Sequence, residues 1–436
     1  MRAGRKGFWP MLDQGILSLG NFAVGIMITR AVTQGLLVKE QYSLYNVIFE
    51  FMLFLNMIQA GLITYPLTVK GATSDKIGLE RYATASMLFT LLLGVPMAVL
   101  AFAVGGVSGK AGLAAVAMLA LLTWQLQETM RRALWAHFRH AEACLGDAVS
   151  YIGQAVAVIV LEKTGSLSLA SVFISMAATS VAAIFVQTLQ VGMHRFTMQD
   201  LKDYAREFWL TGRWTAFTSL SAIATAICGS WALWLFHGAG QVADFFAIGI
   251  LLKLCNPIMS SIAGLITPAA AKKLADHGIG AAQRISLKYL VLGGIMLAPY
   301  LLFILFFPRL TMEIFFGRAM PFAGVENALR GCVLGYAFLY LAGMITAFLN
   351  GIHATRYSFY GQIINSVAQF FVLLPMNLKF GLMGYIWGGV MQITLQLIIL
   401  WFLLRKALMT FKRQGFEVIP STAPTTTAVP SEVPAP

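Results

Sequence analysis

Apolar residues in this chain come in long blocks separated by short polar breaks. Twelve blocks reach the about 20 residues that a helix needs to cross a bilayer. They cover 9–31, 42–68, 82–105, 111–134, 144–162, 168–192, 207–235, 243–268, 285–307, 327–350, 358–378 and 381–404. Within several blocks the polar positions recur at the helical period of 3.6 residues. The first carries Gln14, Ser18, Asn21, Gly25 and Thr29 on one stripe. The seventh carries Thr211, Thr215, Thr218, Thr225 and Gly229, and the eighth Lys253, Asn256, Ser260, Gly264 and Thr267. The second carries Asn46, Glu50, Gly61 and Thr64, with Asn56 and Gln59 a third of a turn or more away. Small and hydroxyl residues alone fit close helix packing at least as well as a wet surface. Lys253 and Glu50 change that reading. A charge at mid-bilayer depth costs about 2.5–3.5 kcal/mol on insertion scales, so each predicts a partner or a hydrated cleft.

The second and eighth blocks also match each other. Glu50 and Lys253 are 203 residues apart, and so are Gly61-Leu62-Ile63-Thr64 and Gly264-Leu265-Ile266-Thr267, and Pro96 and Pro299. Phe8-Trp9 and Phe208-Trp209 follow at a slightly smaller shift. This spacing predicts an internal repeat. Six spans per half is an even number, so the halves enter the membrane from the same side, related by an axis along its normal with a substrate site between them. The expected fold is an all-α membrane protein of about twelve transmembrane helices in two six-helix lobes related by a pseudo-two-fold axis. The expected lobes are 1–195 and 196–410. A Pro/Thr-rich cytoplasmic tail, 411–436, is expected to be disordered.

Composition agrees with the pattern: 58% of the 436 residues are hydrophobic, 11% are charged and the mean hydropathy is +0.75. A soluble protein would carry about 25% charged residues. The net charge of +13 invites a nucleic-acid reading, but the cations sit in the breaks between apolar runs. With the N-terminus inside, 22 of the 31 Lys and Arg fall on the cytoplasmic side and 8 on the other, with Lys253 between. That asymmetry predicts both termini in the cytoplasm and no nucleic-acid partner. The segment after Arg2, Arg5 and Lys6 contains Asp13, Gln14 and Asn21 and is long, so it reads as a first span rather than a cleaved signal. Cys144, Cys228, Cys255 and Cys332 lack metal-site or redox spacing and read as packing residues.

The candidate chemistry is binding rather than bond-making. Lys253 is a point charge suited to a phosphate or pyrophosphate, with Asn21 and Asn256 beside it as cleft candidates. Arg213 fits an anionic head group entering from inside and Arg30 one leaving outside, although both positions also suit snorkelling to the interface. Glu50, Pro66 and Pro268 are candidates for gating or coupling. Asp13, about one turn inside Trp9, reads as an interfacial or capping residue as readily as a coupling one. No catalytic residue, metal site or cofactor is expected. No G-x-x-x-x-G-K-[ST] loop for a nucleotide is present.

Several segments carry a resemblance. Met11 to Phe22 followed by Arg30, Tyr42-Ser43-Leu44-Tyr45 leading to Tyr65-Pro66-Leu67, and Glu128-Thr129-Met130-Arg131-Arg132 with Arg139 and Asp147 are similar to bacterial polysaccharide flippases. So are Phe316-Gly317-Arg318 and Asn350-Gly351 before Arg356. These are the Wzx-type polysaccharide (O-antigen) transporters of the multidrug/oligosaccharidyl-lipid/polysaccharide exporter (MOP) superfamily. The resemblance implies two six-helix lobes around a cationic cleft. It implies flipping of an undecaprenyl-diphosphate-linked glycan across the bacterial inner membrane. The partners it implies are that lipid-linked glycan, membrane lipid, and a polysaccharide polymerase with its chain-length machinery. Lys253 is the one clearly central cation, fewer than that cleft would carry. Two alternatives stay open: a cation-coupled multidrug or small-molecule antiporter of the same superfamily, and an integral-membrane glycan polymerase, ligase or acyltransferase. The last would need a catalytic group outside. His137, His140, His194 and His353 fall on the inner side, and His237 is a lone external histidine.

Overall fold

The computed structural model describes residues 2–413 except 73, 108, 196, 318–323 and 353. The side chains of 2–8, 10–11, 104–107, 198, 214, 218, 221–222, 224–226 and 412–413 also lie outside the description. Outside it fall Arg318, His353, the side chains of Thr218 and Thr225, and the tail beyond Arg413.

The described residues form helices and no strands. In chain order these are α1 (Arg2–Thr33), α2 (Lys39–Gln59), α3 (Tyr65–Gly71), α4 (Lys76–Val107), α5 (Ala111–Ala136), α6 (His140–Asp147), α7 (Gly153–Lys163) and α8 (Leu169–Val191). Then follow α9 (Met198–His237), α10 (Ala239–Lys253), α11 (Asn256–Phe306), α12 (Pro308–Phe316), α13 (Glu326–Gly351), α14 (Thr355–Ala368) and α15 (Leu374–Arg413). Among the described residues, nine stretches are long and apolar enough to cross a membrane. Two of these, 256–306 and 355–411, run through a reversal at Gly278 (φ 75°) and Gly381 (φ 59°). Glycine occupies both reversals because a side chain would be strained at positive φ. The protein is a multi-pass membrane protein.

Three spans are not the continuous helices the pattern predicts. Each contains a π-turn, at Ala60–Thr64, Ala148–Ile152 and Gln369–Leu373. In the first, the Tyr65 N–H reaches back five residues to the Ala60 carbonyl. The cause lies next door: Pro66 has no N–H to offer the carbonyl of Leu62, so the four-residue ladder fails there. Pro257 does the same one turn after Lys253, and α10 ends at Lys253 before α11 resumes at Asn256.

Packing divides by depth. At the end holding Thr33, Lys39 and Phe316, one apolar core joins both halves of the chain, with Ile28, Tyr42, Phe173, Leu233, Val242 and Leu329 all buried in it. At the opposite end two cores stand apart. One holds Leu67, Leu79, Met130 and Leu134, and the other Ile266, Ala270, Phe348 and Leu400. Lipid tails are as apolar as leucine, so close approach rather than water expulsion must hold these helices together. Gly351 shows it: a Cβ there would stand 2.6 Å from the Thr267 carbonyl oxygen. Thr267 uses the same contact to donate to the Ala347 carbonyl at 3.1 Å.

Candidate functional site

Above the two separate cores, α1, α2, α5, α7, α8 and α10 surround a cavity of about 220 Å³. Its wall carries Ser18, Asn21 and Gly25 from α1, Tyr45, Asn46 and Phe49 from α2, and Trp124 from α5. The second π-turn presents Ser150 and Tyr151 to it, followed by Gln154, and Lys253 and Asn256 close it from the other half. Lys253 is the sole charged side chain among these lining residues. The polar stripe of the sequence is thus largely real. Gln14, Asn21, Lys253, Asn256, Ser260 and Gly264 are exposed, whereas Ile26, Ile28, Thr29 and Ala31 further along α1 are buried. Thr29 instead donates to the Gly25 carbonyl and to the Tyr42 hydroxyl, at 2.8 and 3.0 Å.

The closed end is fastened by polar contacts between the halves. Arg30 donates to the carbonyls of Ile314 and Phe315 at the end of α12, at 3.1 and 2.6 Å, and Thr33 donates to that of Phe316 at 2.7 Å. Lys39 pairs with Asp244 at 2.7 Å. The last carbonyls of a helix carry a partial negative charge, which explains an arginine there. Arg30 is therefore placed as a clamp, away from the cavity wall. On one side α9 stays against the first half throughout: Lys70 pairs with Glu207 at 2.8 Å, and Gly61 is pressed on Ala216 and Gly212. On the other side Gln14 and Asn21 of α1 and Ser260, Gly264 and Leu265 of α11 are exposed. Nothing stands within 4 Å of a Cβ added at Gly264, so the matched Gly-Leu-Ile-Thr segments occupy unlike surroundings.

The structure separates Glu50 from Lys253. Glu50 accepts a hydrogen bond from Ser230 of α9 at 2.6 Å and faces Trp231. The two charges lie within electrostatic reach of each other but form no ion pair closer than 4.0 Å. Of the two outcomes expected for an intramembrane charge, Glu50 has a partner on α9 and Lys253 faces the cavity. Arg213 does not line the cavity; it is half-buried beside Gly212 on α9. Pro66 is buried at the start of α3 against Gly212, and Pro268 is exposed in α11.

Asp13 lies inside α1, too far from its start to cap it. It is fully buried, 3.0 Å from Arg131, which is 2% exposed. Arg131 also contacts Asp147 at 2.7 Å and Glu128 at 2.9 Å, and Glu128 contacts Arg132 at 2.6 Å. Gln127 donates to Asp147 at 3.2 Å, and Ser150 donates to Gln127 at 3.1 Å, so hydrogen bonds run from the cluster to the cavity wall. Three carboxyl groups thus meet two guanidinium groups, one acid more than base in a buried place. His140, Cys144 and Tyr151 stand around the cluster. Arg131 and Arg132 fall at the end of the fourth predicted span, where the charge count alone does not reveal the cluster. The available signal was the Glu128-x-x-Arg131 spacing, which puts both on one helix face.

No protein-family model and no curated relative matches this sequence. Solved structures do. An inward-facing conformation of a multidrug resistance MATE family transporter of the MOP superfamily superposes with a TM-score of 0.75 at 16% identity, over 92% of this chain and 96% of that one. An outward-facing conformation of such a transporter gives 0.64 at 16% identity, over 94% and 96%. A MOP superfamily transporter from Pyrococcus furiosus, described by a reverse polarity of its binding pocket that suggests a different function, gives 0.63 at 15% identity, over 94% and 95%. The chain has the two-lobed fold of MOP superfamily transporters. Its likeness is greater to the inward-facing form, in keeping with one joined core and two separate ones.

Proposed function

We propose that this chain is an alternating-access transporter that exchanges an amphipathic organic solute for a cation, with lobes at 1–195 and 196–410. The observation that carries this reading is the polar cavity at the point where one shared core divides into two. Such an arrangement can close at either end by moving one lobe against the other. Small-molecule antiport is favoured by the structural neighbours, two of which are described as multidrug resistance transporters. The enclosed volume of about 220 Å³ is below the ~300–1,000 Å³ of sites that take a whole drug-sized ligand. It suits one end of an amphiphile, with the rest extending between the exposed faces of α1 and α11. Tyr45, Phe49, Trp124 and Tyr151 offer stacking faces, the amides and hydroxyls offer hydrogen bonds, and Lys253 selects a neutral or anionic group.

The counter-cation belongs at Asp13, Glu128 and Asp147. The third carboxyl group has no guanidinium of its own, so burying it ionised is costly and a proton can neutralise it. The Gln127–Ser150 link gives that event a route to the cavity wall.

The chemistry of Lys253 also supports a second reading, a flippase for an undecaprenyl-diphosphate-linked glycan that works with a polymerase and chain-length machinery in the bacterial inner membrane. A diphosphate at Lys253, sugars on the aromatic wall and a lipid tail leaving between α1 and α11 would use the same features.

Proteoliposomes separate the two. With a pH gradient imposed, the antiport reading expects gradient-driven movement of a fluorescent organic anion, lost in Asp13→Asn. The flippase reading expects leaflet exchange of a fluorescent polyprenyl-diphosphate glycan without dye movement. Either activity should fall at least about tenfold in Lys253→Ala, the factor expected for ~1.4 kcal/mol of lost charge-assisted binding. Absence of both movements in folded protein overturns the proposal.

A further inference from the structure

Far from the central cavity, the outer faces of α11, α13 and α15 enclose a groove of about 770 Å³. Its wall is mainly apolar, with Leu287, Leu290, Leu341, Ile345, Ile398 and Trp401 among the lining residues, and it also takes in Gln283 and Arg284. Lipid chains can run along any apolar helix surface, so an apolar wall by itself says little. Charge makes this groove distinctive. Arg284 is exposed, forms no ion pair and has no hydrogen bond among the described residues. Arg405 lies 4.9 Å over the ring of Trp401, one of the wall residues, and is likewise without an ion pair. Lys288, one turn on from Arg284, and Lys406 are exposed on the same two helices. Asp276, before the reversal at Gly278, is the acidic side chain nearest in sequence to Arg284.

We propose that this groove is a specific site for an anionic phospholipid of the bilayer, with a phosphate at Arg284 and Arg405 and an acyl chain along the wall below. The depth suits this. From Arg284 to Leu290 is six residues, or about 9 Å of helix, which leads from a charged rim into the apolar layer. Trp401 stands at that rim, where an indole favours the boundary between head groups and chains. Basic residues at the ends of spans, set beside a gap between helices, are the general recipe for an acidic head-group site. The gap here is bounded by helices of one lobe, so the lipid holds α11, α13 and α15 together rather than bridging the halves. The inference does not depend on what is transported.

Native mass spectrometry of the full chain in nonionic detergent tests it, using cardiolipin and phosphatidylglycerol against phosphatidylcholine and phosphatidylethanolamine of matched chains. The expected result is retention of the anionic lipids in preference to the zwitterionic ones. Arg284→Gln and Arg405→Gln should each weaken it about fivefold, the factor equivalent to ~1 kcal/mol per basic residue. Met344→Trp, which fills the groove without altering charge, should weaken it too. Each variant is first shown to be monodisperse with unchanged helix content. Equal retention of zwitterionic lipid overturns the proposal. Undiminished anionic binding in both arginine variants does so as well, since that is lipid held by the general positive charge of the surface.

Discussion

At the residue scale, the largest departure from expectation is Arg131. One guanidinium, buried to 2% exposure, touches three carboxylates contributed by α1, α5 and α6. Removing it strands those carboxylates, and breaking a buried charge pair costs about 3–5 kcal/mol. Arg131→Ala should therefore lower the melting temperature by roughly 10 °C, whereas Asp13→Asn, which leaves two carboxyl groups for two guanidinium groups, should leave stability near the parent. Light-scattering or fluorescence melts in detergent compare them. The matched glycines give a second contrast. Gly61→Ala forces its Cβ onto Ala216 and should destabilise, while Gly264→Ala meets nothing and should be neutral or slightly stabilising. Lys253, Asn21 and Asn256 were legible in the sequence because an expensive charge and a polar stripe announce themselves in an apolar run. Asp13 stood among the coupling candidates, but its clustering with Arg131 and Asp147 was not legible. Each lies near the end of a span, where a buried ion cluster and a solvated interface have the same composition.

At the element scale, the helices were legible nearly to their ends and their interruptions were not. Apolar run length fixes a span, but a π-turn adds one residue without changing hydropathy. Gln369–Leu373 and Ala148–Ile152 occupy the eleventh and fifth predicted spans, corresponding places in the two halves. This structural repeat is independent of the Glu50 and Lys253 spacing that first suggested one. Pro257 was the signal overlooked: four residues after Lys253, it leaves that carbonyl without its helical donor and ends α10 at the cavity. Pro257→Ala should let α10 and α11 join into a straighter helix. Transport should then slow by an order of magnitude or more with little loss of stability, because Lys253 turns with its helix end. Stopped-flow proteoliposome assays beside melting curves read the two effects separately.

At the scale of the whole molecule, the two halves share one core at the Arg30 end and have separate cores at the Arg131 end, while α9 packs on both halves. The two-lobed architecture could be anticipated from even span number and repeat spacing, but which end is closed could not. That depends on contacts such as Arg30 on Ile314 and Phe315, where a loop-facing arginine meets carbonyls almost 300 residues away. Those hydrogen bonds hold the closed end, at about 1–2 kcal/mol together for an exposed arginine. Arg30→Ala should shift the population toward the opposite conformation by about tenfold. The most direct test is a pulsed paramagnetic-resonance distance between spin labels at Gln14 on α1 and Leu265 on α11, both exposed at the Arg131 end. Measured in liposomes on a variant without the native cysteines, it should show a dominant long distance and a minor short one. The short fraction should grow when Arg30→Ala loosens the far end. A single distance, unchanged by that substitution, would mean a static cleft and contradict alternating access.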